Sequence, residues 1–347
     1  MIRKYWHIVL MKFTNYFLRF LERFSTHFLT YHARPKSHDG VRLSKPCASH
    51  ADESATAIVI QGPILLDNDF TFETLKLYGE MFPQTRLILS TWEDENTEEL
   101  IKIRGLGVDV VLNKKPIYAG PANINLQIVS ASSGIMRAKE IGCRYALKTR
   151  TDQRIYSENS LRLCLGILKL FPLKNKLCQK NRLVAFNLNS FKYRLYGISD
   201  MINFGNIDDM LDYWSPPLDQ RKISELGDAK TLYEFSRQRF AEVYFMTSFL
   251  VKIGRDINWS LEDSFSAIAD HFCILNTSDI DLFWPKYTRK EFRHVGYKLI
   301  RTAQFEFSDW ISLHGGIQGD IPEYIIHTEI EELDRNNLIT LSKKNHQ

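Results

Sequence analysis

The sequence predicts an α/β fold: a mostly parallel central sheet with flanking helices, preceded by an amphipathic helix. Three observations carry that prediction. Apolar runs ("ATAIVIQGPI", "TRLILSTWE", "VDVVLN") alternate with helical segments ("FTFETLKLYGEMF", "TEELIKIRGLG"), giving the order βαβαβ. Parallel strands need such crossovers, because a tight turn cannot join them. The core of the first run, "AIVI", is apolar at every position, the pattern of a strand covered on both faces. The chain has 347 residues, 44% hydrophobic and 25% charged, which is enough apolar material for a large core.

Residues 1–32 are aromatic-rich and basic. At 3.6 residues per turn, Trp6, Leu10, Phe13, Phe17, Phe20 and Phe24 share one face, and Lys4, Lys12, Asn15, Arg19 and Arg23 gather on another. Lys12, Arg19, Glu22 and Arg23 break the apolar runs, so neither a spanning helix nor a signal peptide fits. The pattern suits a helix lying in a membrane interface, or one packed on the protein itself or a second subunit. Residues 33–54 are polar, lack periodicity and read as a linker. Residues 55–156 form the regular βα half, in which a long helix from Asn123 to Ile141 stops at Gly142 and is followed by the strand "RYALKTR". Residues 157–315 form a less regular second half. It holds a helix over 157–171, a strand at "LVAFNLNSF", a strand and helix at "SDMINFGNIDDMLDYW" and a helix over 237–252, before a tail at 316–347.

Composition excludes several classes. A net charge of +4 without a recognition motif argues against a nucleic-acid partner. Cys47, Cys143, Cys164, Cys178 and Cys273 are scattered and form no CxxC pair, so a disulfide framework or structural zinc site is not expected. No GxGxxG follows the first strand and no GxxxxGK[ST] occurs.

The first strand ends in Gln61-Gly62-Pro63, where a glycine permits close backbone approach to a ligand. Ligands of open α/β sheets bind at this carboxyl edge. Alternation along "ALKTRTD" places Lys148, Arg150 and Asp152 on one side if the strand stays extended. Cations there meet phosphate, and Asp152 can hold a divalent ion between two phosphates. The structural alternative makes Asp152 the cap of the next helix. On the preceding helix, Asn123, Gln127, Ser130 and Gly134 form a stripe of small and amide residues suited to hydroxyl recognition or close packing.

Taken together, "IVIQGPI", "LILSTWE", "NINLQIVSASSG", "KTRTDQRI" and "SDMINFG" resemble, in this order and spacing, the WavE lipopolysaccharide-synthesis family over about residues 55–315. The resemblance implies a GT-A-like, Rossmann-type glycosyltransferase that moves a sugar from a nucleotide-sugar donor to a lipopolysaccharide-core or related, lipid-linked acceptor. It further implies that Gln61, Gly62 and Pro63, with Trp92 and Glu93 nearby, contact the nucleoside, and that Asp152 handles the diphosphate through Mn2+ or Mg2+. The usual acidic motif is Asp-x-Asp, whereas Arg154 stands at its second position here. An arginine there can neutralise phosphate and make the metal optional.

Inverting transfer needs a base for the acceptor hydroxyl. Asp200, before a predicted strand, and Glu242, on a helical stripe with Phe245 and Phe249, are the candidates, and each also suits a structural role. His271, His294 and His314 receive no role. The rival functions are a non-catalytic nucleotide-sugar-binding or assembly protein and a nucleotidyltransferase. For a membrane-bound acceptor, the N-terminal helix predicts a peripheral position on the cytoplasmic face of a bacterial inner membrane, against anionic lipid.

Overall fold

The computed structural model describes residues 2–26, 29, 32–44, 51–174, 178–222, 224, 226–286, 304–317 and 321–335. His294, residues 45–50 and 336–347, and the side chains of Lys4 and Trp6 lie outside them.

Seven strands form one sheet in the order β3-β2-β1-β4-β7-β6-β8. They are β1 (Thr56–Gln61), β2 (Arg86–Trp92), β3 (Asp109–Asn113), β4 (Tyr145–Arg150), β6 (Leu183–Phe186), β7 (Asn203–Asn206) and β8 (Phe272–Leu275). All neighbours run parallel except β7, which is antiparallel to β4 and β6. The sheet is therefore continuous across residue 156. Every residue of β1 is buried, as its unbroken apolar reading requires. A small second sheet pairs β5 (Arg154–Ile155) with β9 (Leu282–Phe283).

The helices α3 (Phe70–Met81), α4 (Thr97–Arg104) and α5 (Ile124–Glu140) follow β1, β2 and β3 as crossovers. Asn96 caps α4 by accepting from the amides of Glu98 and Glu99. Helix α5 lies close on the sheet because Gly134 has no side chain: a Cβ there would sit 2.4 Å from Val59 Cγ1. Helix α6 (Ser160–Leu170) comes next, and α7 (Ile207–Trp214) leaves β7 without a loop, capped by Asn206. The helix expected over 237–252 is α9 (Ala241–Lys252), which starts four residues late because Arg239 adopts φ +51° and separates it from a short preceding helix, α8 (Leu232–Arg237). Helix α10 (Leu261–His271) leads into β8.

The N-terminal helix α1 spans Ile2–Glu22, and a one-turn helix, α2 (Ala51–Ser54), precedes β1. Leu10, Phe13, Phe17, Phe20 and Phe24 are all exposed, so this face does not pack on the described part of the chain. No helix among the described residues is long and apolar enough to cross a membrane. The linker is partly tied down. Arg34 donates to Asp281 at 2.6 Å, and His38 bonds Glu73 through its ring and its amide.

Candidate functional site

The carboxyl ends of β1, β2 and β4, the first residues of antiparallel β7 and the amino end of α5 share one edge of the sheet. Gln61 sits beside Ser90 and Arg150 in register, and Lys148 beside Asn203. At the tip of β1, Gly62 adopts φ +119° and a Cβ there would meet Thr151 Oγ1 at 3.0 Å, so the turn needs glycine. Pro63, Glu93 and Asn123 are exposed around this edge. Gln61 is turned inward and accepts from Ser130 Oγ at 2.6 Å, and Trp92 is buried. Glu95, which the sequence did not single out, accepts from the Ile64 amide and from Thr91 Oγ1, tying the β1 loop to β2.

Strand β4 ends at Arg150, so the alternation expected to carry Asp152 stops short. The chain turns, and Arg150 closes on Asp152 as a fork, Nε to Oδ1 at 2.8 Å and Nη2 to Oδ2 at 3.1 Å. Trp284 Nε1 adds a hydrogen bond to Oδ2 at 2.9 Å, and its ring lies beneath the Arg150 guanidinium. Burial works to raise the Asp152 pKa, but the hydrogen bonds and charge of Arg150 outweigh it, and the carboxyl is held below its ordinary value. Both side chains remain about a quarter exposed at the edge, 26% and 27%. This pair fits a divalent metal poorly, since both carboxylate oxygens already accept hydrogen bonds and a guanidinium occupies one side. Among the described residues, the group with three ligand atoms in mutual reach is His38, Asp39 and Glu73, and Asp152 is not part of it.

Arg154 is placed differently from the expectation that it meets a diphosphate. It is 1% exposed, and its guanidinium donates to Thr74 Oγ1 at 2.8 Å, the Lys36 carbonyl at 2.6 Å and the Phe70 carbonyl at 2.8 Å. It also lies over the Phe70 ring, 4.4 Å from the centroid. The residue that breaks the acidic motif is thus a clamp between β5, α3 and the linker.

Lys148 is likewise turned away from any phosphate. Fully buried, it donates to the Asp200 carbonyl at 2.6 Å and stands 4.0 Å from the centre of the Trp214 ring. Burial pushes its ammonium down to about 7, with Asp200 acting in the other direction. Gln127 Nε2 donates to Asp200 Oδ2 at 2.9 Å. Glu242, on the first turn of α9, faces Arg194 at 3.4 Å and keeps 12% of its side chain exposed. Burial raises its pKa; Arg194 opposes the rise and Asp200 adds to it. The structure therefore brings Gln127, Lys148 and Asp200 into one polar cluster, with the charges of Glu242 acting on it through Asp200 and those of Arg150 and Asp152 through Lys148.

The α5 stripe divides its work, with Gln127 on Asp200, Ser130 on Gln61 and Gly134 against Val59. His271 bonds Gln179 inside the fold, and His314 stacks on Trp310. Burial pushes the His271 pKa down to about 4. A cavity of about 650 Å3 lies at the opposite edge of the sheet, lined by Arg86, Leu87, Val108 and Asp109 at the starts of β2 and β3, away from this chemistry.

The family model described as WavE lipopolysaccharide synthesis matches residues 56–293. No curated protein matches the chain. Among solved structures, a cytidylyltransferase from Leptospira borgpetersenii is similar at 12% identity and a TM-score of 0.30, over 46% of this chain and 63% of that one. A 4-diphosphocytidyl-2C-methyl-D-erythritol synthase from Anaerococcus prevotii is similar at 13% identity and a TM-score of 0.31, over 56% and 98%. A mannose-1-phosphate geranyltransferase from Thermus thermophilus is similar at 11% identity and a TM-score of 0.26, over 49% and 66%.

Proposed function

The chain belongs to the WavE lipopolysaccharide synthesis family, and from that premise we propose that it is a glycosyltransferase. It would move a sugar from a nucleotide-sugar donor to a lipopolysaccharide-core or related surface-glycan acceptor. The observation that carries this reading is the meeting of two unlike charged groups at one sheet edge. Arg150 and Asp152 form a partly exposed ion pair, and Asp200 and Glu242 are drier carboxylates whose charges act on each other.

In this reading Arg150 faces the diphosphate, with Asp152 and the Trp284 ring fixing its orientation. As the bond from the anomeric carbon to the diphosphate oxygen breaks, the guanidinium stabilises the charge left on the nucleoside diphosphate. The acceptor oxygen forms the new bond to that carbon and gives its proton to Glu242. Of the two candidate bases Glu242 suits the role better, because it retains solvent contact and its pKa is raised, whereas Asp200 is 1% exposed and hydrogen-bonded to Gln127. Asp152 is committed to Arg150 and Trp284 and so would hold Mn2+ or Mg2+ poorly, leaving the diphosphate charge to the guanidinium. Gly62, Pro63, Glu93 and Asn123 would border the nucleoside.

The α1 face made of Leu10, Phe13, Phe17 and Phe20 is exposed and is continued by Phe24 just past its end, with Lys12 and Arg19 on the helix and Arg23 in the turn that follows it. We place this helix in the cytoplasmic face of the inner membrane, where a lipid-linked acceptor is presented.

Calorimetric titration with a panel of nucleoside diphosphates and their sugar derivatives tests the donor site. Arg150→Ala and Asp152→Asn, checked for folding by thermal melts, should weaken nucleoside diphosphate binding by about ten-fold or more. Unchanged binding in both folded variants removes the assignment.

A further inference from the structure

The polar cluster behind the proposed base holds more hydrogen-bonding capacity than the described protein satisfies. Asp200 Oδ1, Asn203 Oδ1, Gln127 Oε1, the Tyr213 hydroxyl and Trp214 Nε1 are buried, and none meets a hydrogen-bond partner among the described residues. Asp200, Asn203, Tyr213 and Trp214 are each 1% exposed or less. Buried polar groups are ordinarily paired, because an unpaired one loses its water without gaining a partner. Five in one place mark either a built site or a set of ordered waters.

The five come from elements that converge at one point. Gln127 stands on the first turns of α5, Asp200 in the turn before β7, Asn203 at the start of β7, and Tyr213 and Trp214 at the end of α7. Lys148 on β4 ties them together, beside Asn203 in register, bonded to the Asp200 carbonyl and set on the Trp214 ring. The Tyr213 ring stands 5.4 Å from that of Trp214, centre to centre; burial raises its pKa, and the charges of Asp200 and Glu242 add to the rise.

The set comprises three acceptor oxygens and two donors. A phosphate supplies acceptors only and would face the Asp200 carboxylate, while a metal would leave the Tyr213 and Trp214 donors unmet. A hydroxyl donates and accepts at once, so neighbouring hydroxyls satisfy both kinds of group. Gln127 is the partly exposed member, and its bond to Asp200 sets it between solvent and the buried members of the cluster.

We propose that Gln127, Asp200, Asn203, Tyr213 and Trp214 form a subsite that binds the hydroxyl groups of the donor's sugar, admitted when the Gln127–Asp200 bond opens. The inference rests on the proposed transferase reading and assigns its sugar-recognition residues. It makes the sugar increment, the ratio of nucleotide-sugar affinity to bare nucleoside diphosphate affinity, a property of these side chains.

The test is calorimetry with UDP, GDP and CDP and with their hexose derivatives, on the full chain and on Tyr213→Phe and Asn203→Leu. Each lost hydrogen bond should lower the sugar increment by about three- to ten-fold, with nucleoside diphosphate affinity unchanged. Tyr213→Phe removes only an unpaired hydroxyl, so it should melt no lower than the parent and keeps the test open if Asn203→Leu fails to fold. An undiminished increment in folded Tyr213→Phe would show an ordered-water site only and overturn the subsite. Nucleoside diphosphate binding with no sugar increment in the parent protein would also overturn it while leaving the donor-site reading intact. Failure of every nucleotide to bind would overturn both.

Discussion

Replacing Arg154 separates its two readings, as a structural clamp or as a ligand for phosphate. Its guanidinium makes three short hydrogen bonds, to Thr74 Oγ1, Lys36 O and Phe70 O, at 1% exposure. Hydrogen bonds from a charged donor contribute about 1.5–3 kcal/mol each, and three from one group do not add fully. Truncation also removes the packing on Phe70 and leaves the Lys36 carbonyl without this donor. Arg154→Ala should therefore lower unfolding stability by roughly 3–5 kcal/mol. Arg154→Lys, which keeps the charge but loses the planar fork, should recover only part of that. Urea denaturation supplies the stability, and nucleoside diphosphate titration of the folded fraction at low temperature should match the parent. A loss below about 1 kcal/mol, with nucleotide affinity reduced ten-fold or more, would refute the clamp and return Arg154 to the diphosphate.

Three further outcomes follow from the same geometry. Because the Glu242 pKa is raised by burial, the acid limb of the turnover–pH profile should lie above the ordinary glutamate value of 4.5, and Arg194→Gln should move it further up by removing the opposing cation. Folded Lys148 gives up its proton near 7 and the unfolded residue near 10.5, so the unfolded state binds more protons between these values and stability should rise with pH across that window. Chemical denaturation of Lys148→Met should show that slope reduced. Deleting residues 1–35 should abolish co-sedimentation with anionic vesicles, since the exposed aromatic face and each of Lys12, Arg19 and Arg23, at about 1 kcal/mol per cation, act together. Retained binding with a sharply lower melting temperature would assign α1 to the fold instead.

The fold was legible because its signals are local. The unbroken apolar run of β1, the glycine stops after α4 and α5, and the β7–α7 join all read directly from the chain. The antiparallel direction of β7 was not legible, because pairing direction depends on partners distant in sequence. At the site, the sequence found Gln127, Lys148, Asp200 and Glu242 but assigned their partners less well. Lys148 and Arg154 looked like phosphate ligands because cations after a strand invite that reading, yet both are directed inward to backbone carbonyls and aromatic rings. Trp284 and Arg194 were missed, as each meets its partner across more than forty residues of sequence. Asn203 and Trp214 lay inside quoted segments, but only the packing of α7 on the sheet gives them a common neighbour in Lys148.

Product analysis decides whether the chain transfers sugar with Glu242 as base and Arg150 at the leaving diphosphate. The full chain, on vesicles carrying a lipopolysaccharide-core acceptor, is given the donor selected by titration, and released nucleoside diphosphate and glycosylated acceptor are quantified together. The two products should appear in equal amounts, and Glu242→Gln should slow both by about two to four orders of magnitude while donor binding stays near that of the parent. Release of pyrophosphate in place of nucleoside diphosphate, or undiminished turnover by folded Glu242→Gln, would contradict it.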